Sequence, residues 1–147
     1  MPRREKPAGP VAAVLVAVGI LWLSASLAVA AQAVTKGGNP KAAALKNPMK
    51  PTPDSIRRGR QEYQRACRHC HGVTGLGDGP LAPKNPSPAN LTDDKWEYGS
   101  SDGEIFTIIS NGVGGNSEMK GVRSEVTAND RWNIVNFLRS IGPKPPN

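Results

Sequence analysis

Apolar and polar positions alternate in helical periods over most of this chain, and the breaks between periods are marked by glycine and proline. Ile56, Gly59, Tyr63, Cys67 and Cys70 recur at steps of three and four, which places them on one helical face. Asp54 is a capping residue just ahead, so the pattern predicts a helix starting near Ser55. Gly59 inside that helix costs about 1 kcal/mol relative to Ala, which a close helix crossing would offset. Ser101 and Glu104 form a capping-box pattern that opens a helix through about Ser110, with Ile105, Ile108 and Ile109 as its buried stripe. Thr127 with Asp130 caps a last helix. Trp132, Ile134, Val135, Phe137, Leu138 and Ile141 give it a broad apolar face, and Gly142-Pro143 stops it. Between these helices lie two loops. Residues 72–90 carry four glycines and four prolines, a density that no regular element survives. Residues 112–121 are also glycine-rich and hold Met119. No strand pattern and no internal repeat is present. The prediction is an all-α domain over residues 54–142 with three to four helices, followed by a tail at 143–147.

A different pattern governs the N-terminus. Arg3, Arg4 and Lys6 precede an uncharged run from Val11 to Ala31 that has no polar face. Ala28-Val29-Ala30 and Ala31-Gln32-Ala33 both fit a signal-peptide cleavage site. The run is also long enough to span a bilayer as a helix. Residues 1–33 therefore read as an export signal or as an uncleaved membrane anchor. Either way, the rest of the chain is expected outside the cytoplasm. Residues 34–53 alternate prolines with lysines and read as an extended, solvated spacer. The net charge is +7, and loss of the leader would leave 16 basic against 11 acidic residues. Such a surface suits an acidic protein partner. The bases are scattered and match no nucleic-acid module, so nucleic acid is excluded as a partner.

Composition matters next because only two cysteines exist, which rules out a multi-disulfide scaffold. They stand in Cys67-Arg68-His69-Cys70-His71, and C-x-x-C-H is a haem-attachment signature. Two thiols one helical step apart match the two vinyl groups of a haem, and His71 then sits beneath the iron as proximal ligand. Structural zinc needs about four ligands, whereas this motif supplies three. A thioredoxin-like pair needs a preceding strand, whereas a helix precedes this one. A simple disulfide between Cys67 and Cys70 is the remaining rival. His69 lies within the attachment loop and cannot reach the opposite face of the same haem. Of the three methionines, Met1 precedes the apolar run and Met49 lies in the spacer. Met119 sits in a glycine loop just before the last helix and is the expected distal ligand; Lys120 or an open position are the alternatives. Met/His ligation raises the iron potential and suits electron transfer.

These residues resemble the mono-haem class I cytochrome c family over about 55–141. The resemblance rests on Cys67 to His71, Gly59, Tyr63, the Gly79-Pro80-x-Ala82 turn, Met119 and Trp132. Residues 75–91 are similar to bacterial cytochromes of respiratory chains. The chain departs from many relatives in having Met119-Lys120 where they have Met-Pro. The resemblance implies a small cytochrome c-like fold around one covalent haem c. It implies a crossing of the first and last helices at Gly59 and Tyr63 against Trp132 and Val135. It also implies a proline carbonyl, that of Pro80 or alternatively Pro83, holding the His71 ring. The implied function is not enzymatic. It is single-electron transfer between redox partners in the bacterial periplasm, with Arg65, Arg68, Lys84, Lys120 and Arg123 as a docking rim. A permanent haem subunit of a dehydrogenase or oxidase, and a gas-binding haem protein, are the rival expectations.

Overall fold

The computed structural model describes residues 34, 36–114, 117 and 119–144. The leader or anchor expected at 1–33 lies outside the described residues, as does the end of the 143–147 tail. Among the described residues no helix is long and apolar enough to cross a membrane. The described chain is all-α. Helices α1 (Pro40–Ala43), α2 (Pro53–Ala66), α3 (Arg68–His71), α4 (Asp102–Asn111) and α5 (Ala128–Ile141) follow in order. One isolated bridge joins Gly112 to Lys120.

Local chemistry explains the boundaries. The cap of α2 is Thr52 rather than Asp54, because Pro53 at the first helical position starts the helix earlier. Asp54 instead lies in the first turn and pairs with Arg57 at 3.0 Å. The predicted capping box of α4 is present in both directions. Thr127 caps α5 by accepting from the Asp130 amide.

The core lies where α5 crosses α2 and α4. Tyr63, Ile105, Ile109, Val126, Trp132, Ile134, Val135, Phe137 and Leu138 are buried together, and Cys67 packs against them. Ile108, expected in the buried stripe, is only half-buried. Gly59 meets the backbone of Asn133 and Ile134, so the predicted close crossing exists. Its aromatic pairing differs from expectation. Tyr63 packs on Phe137, with ring centroids 5.1 Å apart, while Trp132 stacks on Phe106 at 4.0 Å. The α5 residue one turn beyond the Gly59 contact at Asn133 is Phe137, and Tyr63 stands one turn beyond Gly59.

The expected spacer is corrected. Residues 36–52 form a strap packed onto the domain rather than an extended linker. Asn39 caps α1, Ala42 is fully buried, and the backbone of α1 lies against Gly103 of α4. Asn47 donates to Trp132 O and to Asn136 Oδ1, and Asn136 donates to Met49 O and Ser55 Oγ. Ser55 Oγ in turn donates to Asn133 Oδ1 at 2.7 Å. Proline and lysine content alone suggests solvation, but asparagines pair the strap to polar positions of α5.

Candidate haem attachment site

Helix α2 ends where the motif begins. Cys67 closes α2, with its amide donating to Tyr63 O, and opens α3. Every carbonyl of the motif accepts a hydrogen bond. Cys67 O takes the amides of Cys70 and His71, Arg68 O takes Gly72, His69 O takes Leu81, Cys70 O takes Gly79, and His71 O takes Gly77. The loop after the motif thus folds back onto it and fixes its backbone. Gly79 permits this contact, since a Cβ there would meet the carbonyl oxygen of Arg68 at 2.6 Å. Gly72 adopts φ 79°, and its carbonyl accepts from the buried Tyr63 hydroxyl at 2.7 Å. The helix crossing and the motif are therefore joined through one side chain.

Both thiols are unpaired. Burial pushes the free Cys67 thiol up to about 12. Cys70 Sγ lies 3.7 Å from Leu81 O on the outer side. His71 is buried, and burial lowers its pKa while a bond to Ala89 raises it. That bond runs from Nδ1 to the Ala89 carbonyl at 3.1 Å. A ring that donates through Nδ1 keeps the Nε2 lone pair for a metal. The carbonyl holding His71 is therefore that of Ala89, not Pro80 or Pro83. The Pro80 turn is pinned to the outer side of the motif through Gly79 and Leu81. The chain returns beside the ring at Ala89, and Leu91 N donates to Gly75 O just after it.

Met119 is half-buried in the loop at the C-terminal end of α4. Its carbonyl accepts from Val113 N at 3.0 Å, and Val122 N donates to Ile109 O at 2.9 Å. The loop is thus closed on itself at Met119 and tied to α4 through Val122. Arg65 of the expected rim is paired with Glu62, and Arg123 donates to Asn111 Oδ1. Arg68, Lys84 and Lys120 are exposed, as is Leu81, at 69% of its surface. No group of three or more His, Cys, Asp or Glu side chains converges among the described residues, so zinc has no ligand set there.

The donor set fits covalent haem c: two unpaired thiols one helical turn apart, an oriented imidazole next to them, and an apolar core against Cys67. Residues 54–138 match the family model described as cytochrome c oxidase, cbb3-type, subunit III. The chain belongs to that family. It carries covalently bound haem c, for which Cys67 and Cys70 have the attachment spacing. The chain is 36% identical over 61 residues to the cbb3-type cytochrome c oxidase subunit FixP of Azorhizobium caulinodans, covering 42% of this chain and 19% of that protein. It is also similar to a component of the reducing HAO-like protein complex of Kuenenia stuttgartiensis, with TM-score 0.58 and 28% identity over 68% of this chain and 48% of that one. Cytochrome cL of Methylophaga aminisulfidivorans matches with TM-score 0.52 and 26% identity over 63% of this chain and 59% of its own. The chain thus spans about a fifth of the curated relative and about half of the first structure.

Sequence reasoning missed Ala89, the partner of Phe137 and a buried polar set. Ala89 acts through its backbone, which no side-chain pattern reports. Phe137 is legible as core, but its partner is not. The buried polar set Ser55, Asn133 and Asn136 had a visible signal: two asparagines three residues apart inside an apolar helical face.

Proposed function

We propose that this chain is a single-electron carrier working outside the cytoplasm, with His71 and Met119 as the axial ligands of its haem iron. The observation that carries this reading is the His71 ring, buried and oriented by Ala89 beside two unpaired thiols. Bound haem c supplies the one-electron couple. The protein makes and breaks no substrate bonds. It fixes the imidazole and shields it from water, and Cys67 and Cys70 would hold the haem beside it. Leu81 gives the surface next to Cys70 an exposed apolar contact, and the exposed Arg68, Lys84 and Lys120 supply positive charge that suits an acidic redox partner. The uncharged run 11–31 with its basic flank supports a periplasmic location, either after cleavage or tethered to the outer face of the inner membrane.

The test is spectroscopic and electrochemical. The full chain, matured in a host that attaches haem c, should give a pyridine haemochrome of the c type and a reversible one-electron couple. Met119→Ala should change the ferric spectrum and lower the potential. Unchanged spectra refute Met119 ligation, and an absence of c-type haem refutes the whole reading. A second reading, a permanent subunit of a larger redox complex, draws on the matched oxidase subunit and the complex component. Native purification separates the two: a monomer supports the carrier, and a stable co-purifying enzyme supports the subunit.

A further inference from the structure

The strap at 36–52 begins almost where the apolar run 11–31 ends. By Gly37 the backbone is bonded into the domain, its amide donating to Glu97 O at 2.8 Å. Asn39 N then donates to Glu104 Oε1 at 2.8 Å, and Ala42 is fully buried. Only residues 32–36 separate the run from the domain. The steps from residue 31 to residue 37 reach about 20 Å at full extension. Crossing the headgroup layer takes about 5–8 Å of that. A run held in a bilayer therefore keeps Gly37 within about 15 Å of the headgroup surface. A domain of about 100 residues has a radius of gyration of about 13 Å, so its far side stands roughly 30 Å away. Gly37 must then lie on the half of the domain that faces the bilayer.

The chemistry of the strap suits such a position. Residues 34–53 hold Lys36, Lys41, Lys46 and Lys50 and no Asp or Glu. All four lysines are exposed. Lys36 pairs with Glu97 at 3.2 Å, with both side chains mostly in solvent. Lys41 stands in α1, Lys46 follows just beyond it, and Leu45 beside Lys46 is 39% exposed. Two ammonium groups thus bracket an apolar side chain close to where the chain would leave the membrane. Each lysine at an anionic lipid surface gains about fivefold in binding, provided it lies within a screening length of about 8–10 Å. Packing of Ala42 and the Asn39–Glu104 bond hold this stretch on the domain, so the lysines move with it.

We propose that the strap around Lys41, Leu45 and Lys46 is the membrane-facing surface of the domain, seated on anionic lipid headgroups with the run 11–31 retained as anchor. This rests on the tethered form of the reading above and commits to it. As a free linker, residues 36–52 would let the domain swing outward by about a further 50 Å. Packed as a strap, they hold it at the bilayer. The domain then serves redox partners in or on the same membrane and does not travel far from it.

The experiment is lysine acetylation of the full chain in lipid nanodiscs, read residue by residue by mass spectrometry. Nanodiscs of phosphatidylcholine alone are compared with nanodiscs that also contain phosphatidylglycerol. With phosphatidylglycerol, Lys41 and Lys46 should react about fivefold more slowly. Lys120 should not change: it is bridged to Gly112 beyond the C-terminal end of α4, whereas α1 lies against Gly103 at the other end. Salt at about 1 M should remove the protection, because the screening length falls to about 3 Å. Lys41→Glu should remove most of the protection of Lys46. Equal acetylation in both nanodiscs overturns the inference. So does equal protection of Lys120, which would mean adsorption without a preferred face. Protection found in native membranes but not in nanodiscs would place a protein on the strap and overturns it too. So does release of the chain from the membrane by cleavage before Val34. Absence of c-type haem in the pyridine haemochrome refutes the carrier reading and leaves the acetylation result standing.

Discussion

Replacing Gly59 by Ala tests whether the α2/α5 crossing limits stability. A Cβ at this position would lie 2.5 Å from the Asn133 carbonyl carbon and 3.0 Å from the Ile134 nitrogen, with the Asn133 oxygen closer still. Carbon atoms in contact need about 3.5–4.0 Å, so the helices must part by about 1 Å. The obstructing atoms are backbone, and no side chain can swing aside. Overpacking of this kind costs about 3 kcal/mol. Parting the helices also loosens the Ser55–Asn133 hydrogen bond and the Tyr63–Phe137 contact, for roughly 1 kcal/mol more. Against this, Ala is about 1 kcal/mol better than Gly within a helix. The net expectation is a loss of about 3 kcal/mol, or a fall in Tm of about 10 °C or more. Guanidinium denaturation of the haem-loaded chain, followed by far-UV circular dichroism, measures it. Gly114→Ala is the control, since nothing lies within 4 Å of that position, and it should be neutral or slightly stabilising. If Gly59→Ala is also neutral or gains the helix-propensity term, the crossing argument is wrong.

Other substitutions test separate links. Tyr63→Phe strips the buried Gly72 carbonyl of its hydroxyl partner and should cost about 1–2 kcal/mol in the same denaturation assay. Asp130 is held down from 3.8 to about 2, chiefly by its hydrogen bond from Arg58. A depressed carboxylate stabilises above its unfolded pKa and loses that contribution as pH falls toward 2. Asp130→Asn should therefore cost about 1 kcal/mol at pH 7, the figure discounted for the half-exposed Arg58, and little once the pH is below about 2. Burial alone would raise the Glu104 pKa, but hydrogen bonds from Ser101, Asn39 and Ser100 outweigh it and hold the group low. Glu104→Gln should cost about 1–3 kcal/mol and speed proteolysis within residues 36–44 before the rest of the domain is cut.

The sequence alone determined the ends of α4 and α5, because caps and stops are local chemistry. Ser101 with Glu104, Thr127, and Gly142 all act within a few residues of where they stand. It also determined the attachment chemistry, since two cysteines and a histidine at helical spacing need only one turn of backbone to come together. Gly59 was readable as a close approach because nothing else justifies glycine in mid-helix. The tertiary structure decided what depends on chain return. The carbonyl beside His71 belongs to Ala89, 18 residues away, because glycines at 72–79 turn the loop back over the motif. Tyr63 met Phe137 rather than Trp132 because the relative position of two helices is set by their contact, not by either sequence. The strap at 36–52 was hidden for the same reason: its prolines describe a segment without internal bonds, and the asparagines that bind it answer to positions more than 80 residues away.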